Sequence, residues 1–171
     1  LFYRGVIPFI IVFLGLLIFY KQNFINAFLK MGIIGIFYAI SFSICNITFI
    51  VSIQNTNVAN TLIMIALAPM LSAILGAIFL KEMPNKGTWT AIFITFLAVL
   101  FIFYDSLQIG NLFGNIMGFV TAAGLAVNAI LIRSAKERDL LPASVIGKLG
   151  VAVFAFFFVE NFSLIGTDQI F

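Results

Sequence analysis

Residues 31–80 read MGIIGIFYAISFSICNITFIVSIQNTNVANTLIMIALAPMLSAILGAIFL, without one charged side chain. A helix crosses the ~30 Å hydrocarbon core of a bilayer in about 20 residues. Fifty uncharged residues are too many for one crossing and enough for two. The stretch also carries its own break, because residues 52–60, SIQNTNVAN, are polar and rich in turn-forming asparagine. It therefore reads as a hairpin of two membrane-spanning helices.

Working outward, four more apolar runs bounded by charge or turn residues join the pair. The six segments are residues 2–20, 31–52, 59–80, 87–104, 112–132 and 141–159. The first needs Arg4 to extend its charged end to the bilayer surface. Of all 171 residues 63% are hydrophobic and 9% charged, and the mean hydropathy is +1.22. A water-soluble domain needs about a quarter of its residues charged, so lipid is the solvent for most of this surface. No segment has the basic polar face of a surface-lying helix, and none has the ten-residue alternation of a barrel strand. The expected fold is an all-α, polytopic transmembrane helical bundle.

The basic residues give an orientation, since Lys and Arg are retained on the cytoplasmic side. Lys21 and Lys30 lie in the first gap, Lys81 and Lys86 in the third, and Arg133, Lys136 and Arg138 in the fifth. The second and fourth gaps hold no basic residue. Six alternating crossings thus put seven of the nine basic residues on one face. Topology accounts for the net charge of +3 without any nucleic-acid partner. The expected surroundings are the plasma (inner) membrane, crossed several times, with the lipid bilayer as a partner; the oligomeric state stays open.

Polar side chains inside a bilayer lie between helices or along a watery cavity. In the second segment Tyr38, Ser41, Cys45, Thr48 and Ser52 fall within about 80° at 100° per residue, forming one polar stripe. Such a stripe either lines a transport cavity or lets small hydroxyls bond a neighbouring helix and draw it close. Asn46 projects elsewhere and has an amide that a single bond to its own helix cannot satisfy. Thr121 and Asn128 share a face of the fifth segment, Pro69 removes a backbone donor in mid-span, and Lys148 is the one charge well inside a span. The candidates for substrate contact are therefore Tyr38, Ser41, Asn46, Thr48, Pro69, Thr121, Asn128 and Lys148. Asn60 and Thr61 stand at a helix start, where capping is expected. Gly110, Gly114 and Gly118 recur every four residues, as does the pair Ser72 and Gly76, and read as close-packing seams. Glu82 reads as a turn residue beside Lys81 and Lys86. The lone Cys45 is expected to be a packed, unreactive thiol.

From residue 52 the order of Thr56, Pro69, Glu82 thirteen residues later and Trp89 resembles the EamA-type half of the drug/metabolite transporter superfamily. Farther on, GNLFGNIMGFVTAAGLAVNAILIRSAKERD with Gly114, Ala126 and Arg133 resembles the opening helix of that family's second half, and FYRG with Arg4 the start of the second helix of the first half. Ala91, Ala98, Asn115 and Leu125 depart from the family's usual glycine, glycine, acid and tryptophan. The resemblance implies six of ten helices in two inverted five-helix repeats, with residues 1–106 as the last four helices of the first repeat and 107–171 as the first two of the second. It implies a chain that is one piece of a longer protein. It further implies a secondary transporter, exporter or permease, moving a small polar metabolite such as an amino acid by alternating access, with the site at the repeat interface. The competing reading is a non-transporting membrane subunit or scaffold. With no histidine, metal cluster or phosphate loop, neither an enzyme nor a cofactor is expected.

Overall fold

The computed structural model describes residues 2–21, 24–106, 112–136 and 138–158, and these residues are almost wholly helical. In chain order the helices are α1 (Phe2–Tyr20), α2 (Phe24–Lys30), α3 (Gly32–Asn55), α4 (Val58–Ile65), α5 (Ala68–Leu75), α6 (Lys86–Ser106), α7 (Leu112–Ala135) and α8 (Leu141–Phe158). The all-α bundle with several long apolar helices is as expected. Two features differ from the sequence reading. The first gap holds a short helix, α2, and the third span is broken into α4, α5 and a wide π turn over Gly76–Leu80.

Local chemistry explains the breaks. Pro69 has no N–H to give to the carbonyl four residues back, so α4 ends at Ile65 and α5 restarts with the proline in its first turn, where a missing donor does no harm. The two pieces stay roughly in line because Ala66 N–H donates to Leu62 O at 3.0 Å and Leu71 N–H to Leu67 O at 3.0 Å. Together Val58–Leu80 remain long and apolar enough to cross a bilayer, as do Gly32–Asn55 and Leu112–Ala135. At the end of the π turn Lys81 takes a left-handed conformation at φ 56°, and Glu82 N–H closes the turn on Gly76 O at 3.3 Å.

Burial runs opposite to that of a water-soluble protein. Ile11, Ile18, Phe19, Ile33, Phe93, Ile94 and Phe101 all face outward, an apolar surface that water would not tolerate and lipid does. The largest fully buried side chains are only Thr61, Pro142 and Ser52. Small residues at the centre let helices meet by backbone, the usual way to gain dispersion contact where lipid removes the hydrophobic drive. The main packing unit is α3 against α7, flanked by α8 on α3, by α4 and α5 on α7, and by α1 on α8.

The chain's alternation places all three basic gaps at one end of the bundle. Tyr20 of the first gap's edge donates a hydrogen bond to Asp139 of the fifth. Arg133, leading into the fifth gap, pairs with Glu82 of the third at 3.1 Å. Gly110, with the spacing expected of it, falls outside the described residues, and so does the side chain of Arg4, on which the expected snorkelling rests.

Candidate functional site

The polar stripe of α3 turns toward α7, and each member meets a specific group there. Ser41 Oγ donates to Gly124 O at 3.4 Å, Cys45 Sγ lies 3.8 Å from Thr121 O, and Ser52 Oγ donates to Gly114 O at 2.7 Å. Thr48 Oγ1 and Thr121 Oγ1 are 2.8 Å apart. Each hydroxyl has one proton, so one of the pair bonds back to its own helix while the other donates across the seam. Both return paths exist, Thr48 to Ile44 O and Thr121 to Met117 O, each at 2.9 Å.

Glycine makes this approach possible. A Cβ built on Gly124 would lie 2.4 Å from Cys45 Sγ, and one on Gly118 would lie 3.0 Å from both Ser52 Oγ and Met64 Cβ. On Gly114 it would meet the Asn55 backbone carbon at 2.6 Å. That last neighbour cannot rotate away, since it is main chain. Gly114 and Gly118 thus form the close seam that their spacing suggests.

At the α4 end the seam closes in a polar knot that sequence reading did not assemble. Ser52 Oγ is 2.8 Å from Thr61 Oγ1, Thr56 Oγ1 donates to Asn115 Oδ1 at 2.9 Å, and Asn60 Nδ2 reaches Thr56 Oγ1 at 3.4 Å. The capping expected of Asn60 and Thr61 is corrected here. Asn57 caps α4 by accepting from Ala59 N–H at 3.1 Å, while Asn60 and Thr61 lie inside the helix and are buried. A β-region residue must precede the helix for its side chain to reach back, and Asn57 has that conformation, φ −68° and ψ 140°.

Near the other end Asn128 is 5% exposed; its Nδ2 lies 3.6 Å from Cys45 Sγ, and its Oδ1 finds no hydrogen-bond donor among the described residues. Sulfur is a weak acceptor, so this amide is the least satisfied polar group in the seam.

The remaining candidates are scattered. Asn46 donates to Phe42 O at 2.8 Å and stays on its own helix. Tyr38 leaves the seam and borders a cavity of about 290 Å³ with Lys136, Arg138, Asp139 and Ser144. Pro69 lines a second, open cavity of about 580 Å³ with Ser72, Thr88, Glu82, Leu125 and Arg133. Lys148 is half-buried on α8 and has no ion-pair partner among the described residues. The structure therefore unites Ser41, Thr48, Thr121 and Asn128, and leaves Tyr38, Asn46, Pro69 and Lys148 apart from them. Glu82, read as a turn residue, also reaches across to α7 through Arg133, a pairing no local pattern announces.

Six apolar segments, a glycine-mediated seam and an unsatisfied buried amide describe a membrane protein whose helices meet through polar contacts. The description "EamA-like transporter family" matches residues 1–104. This chain belongs to the EamA-like transporter family. Its class is thereby that of an integral membrane transporter. No curated protein and no solved structure matches the chain to add a named relative.

Proposed function

We propose that this EamA-like protein moves small polar metabolites, amino acids among them, across the plasma (inner) membrane by alternating access, as an exporter or permease. The surface that parts to admit substrate is the α3–α7 seam. In this reading residues 1–106 end the first repeat and residues 107–171 open the second, so α3 and α7 belong to opposite repeats, where inverted-repeat transporters place their sites. The seam is zipped in the conformation described. Opening it would free the hydroxyls of Ser41, Thr48 and Thr121 for substrate, with Tyr38, Asn46, Pro69 and Lys148 bordering the path.

The observation that carries the reading is Asn128. A buried acceptor without a donor is costly, and it is understandable where a bound polar solute supplies the donor. The non-transporting scaffold has an observation of its own, since the stripe's other hydroxyls are already satisfied within the seam. Transport in proteoliposomes separates the two. We expect labelled amino acids to move down their gradient, and Asn128→Leu to slow them about tenfold or more while the melting temperature stays within a few degrees of wild type. Leucine removes the orphaned acceptor along with its cost, so a stability loss is not expected. No movement by wild-type protein, or equal rates for Asn128→Leu, would contradict the proposal.

A further inference from the structure

The cavity bordered by Tyr38 lies at the basic end of the bundle, and its chemistry is unlike that of the seam. Lys136 ends α7 in a left-handed conformation, φ 52°, and its N–H returns to Arg133 O at 3.4 Å. Arg138 N–H closes on Ala135 O at 2.9 Å. This tight turn sets two cations at one mouth of about 290 Å³. Among the described residues neither cation forms an ion pair.

The one acid of the mouth among the described residues is otherwise engaged. Asp139 Oδ1 accepts from Leu141 N–H at 2.9 Å, capping α8, and Oδ2 accepts from the Tyr20 hydroxyl. The Arg138 guanidinium lies close over Gly32, where a Cβ would come within 2.8 Å of its Nη1. From α3 the phenol of Tyr38 reaches the same cavity, its ring stacked on Phe42 and its hydroxyl without a partner among the described residues. Ser144 already donates its proton to Leu141 O at 2.7 Å. Three sets of donors, a guanidinium fork, an ammonium and a phenol, therefore belong to residues lining one cavity, and the one carboxylate among its lining residues is already engaged by Leu141 N–H and the Tyr20 hydroxyl.

We infer that this cavity binds a phosphate group, seated between Arg138, Lys136 and Tyr38. A guanidinium fork grips two oxygens of such a tetrahedral anion, and the ammonium and phenol supply donors for the others. The rim favours the headgroup of an anionic lipid over a soluble phosphate. Ile132 and Leu141 are exposed apolar residues lining the same cavity, set to meet acyl chains beneath a headgroup. Basic clefts between helices at this kind of membrane face suit anionic lipids. The inference is independent of which solute is transported.

The test titrates purified protein in neutral-lipid nanodiscs with phosphatidylglycerol in one arm and inorganic phosphate in the other, following bound ligand by native mass spectrometry. We expect saturable binding in the lipid arm. The double variant Lys136→Gln/Arg138→Gln should weaken it about 30-fold, the loss expected from two cations near a bilayer surface. Tyr38→Phe, which keeps the ring, should weaken it about tenfold. Lys30→Gln, an exposed cation at the same end, should leave it unchanged. Saturation by inorganic phosphate, with the same losses in the variants, would support the site and name a free phosphate as its occupant. Wild-type affinity in Tyr38→Phe and the double variant alike would overturn it, and so would an equal loss in Lys30→Gln, which would mean diffuse surface charge. Should the double variant fail to fold, the Tyr38→Phe comparison decides.

Discussion

The two ends of the helix bundle are built on opposite principles. At the α4 end Ser52 and Thr61 are 0% exposed, the groups are neutral, and Gly114 brings backbone against backbone. At the basic end two cavities open, one lined from α3, α7 and the start of α8 and the other from α5, α6 and α7, and the ion pair that ties α7 to the loop after the π turn is exposed, with Arg133 48% and Glu82 58% exposed in their side chains. The difference follows from residue size and solvation. Small hydroxyls next to glycine carry their hydrogen bonds into a dry contact, whereas Arg, Lys and Glu must keep water and so hold helices apart. One end is closely packed and the other opens into cavities.

If the dry end is held by contact, volume added there should do the greatest damage. Gly114→Leu puts a side chain where even a Cβ meets the Asn55 backbone at 2.6 Å, and should cost about 3 kcal/mol or abolish folding outright. Fluorescence-detected size exclusion and melting would show it. As the matched control, Gly15→Leu has nothing within 4 Å of its Cβ and should fold normally.

A smaller effect follows from the hydrogen bonds of the same end. Ser52→Ala leaves Gly114 O and Thr61 Oγ1 without their partner and should cost about 1 kcal/mol, the usual scale for one interhelical bond in a membrane. Urea or thermal melting in detergent reads it. A loss above about 3 kcal/mol would mean that the knot acts as one cooperative unit.

The charged end should give the smallest change. Arg133 and Glu82 are about half exposed, so a double-mutant cycle of Arg133→Gln and Glu82→Gln should find a coupling of about 0.5 kcal/mol that shrinks as salt is added. A coupling that salt does not touch would show that this end is drier than its exposure indicates.

These contrasts also mark how far sequence reading reaches. The spans were legible because a bilayer demands long uncharged runs, and residues 31–80 show one with its own polar break. That the three basic gaps share an end followed from alternation. The α3 stripe was legible as a face, but its partner was not, since helical periodicity says where Thr48 points and nothing about Thr121 waiting there. Residue type favours Asn60 and Thr61 as caps because both suit helix starts; the choice of Asn57 depends on one backbone conformation that composition does not encode. Helix α2 was missed because seven residues are too few for periodicity to register. The pairing of Glu82 with Arg133 joins residues 51 positions apart, and only the packing of α5 on α7 brings them together.

The central claim, that the α3–α7 seam must part for transport, can be tested by tying it shut. In a Cys45→Ala background, Thr48→Cys with Thr121→Cys places two thiols where the hydroxyls now stand 2.8 Å apart, close enough for a disulfide across the seam. Proteoliposomes carrying the double variant should take up labelled amino acids when reduced, lose at least nine-tenths or roughly tenfold of that rate on oxidation, and recover it with reductant. A protein shown by mass spectrometry to be fully cross-linked, yet transporting as fast as its reduced form, would contradict the account.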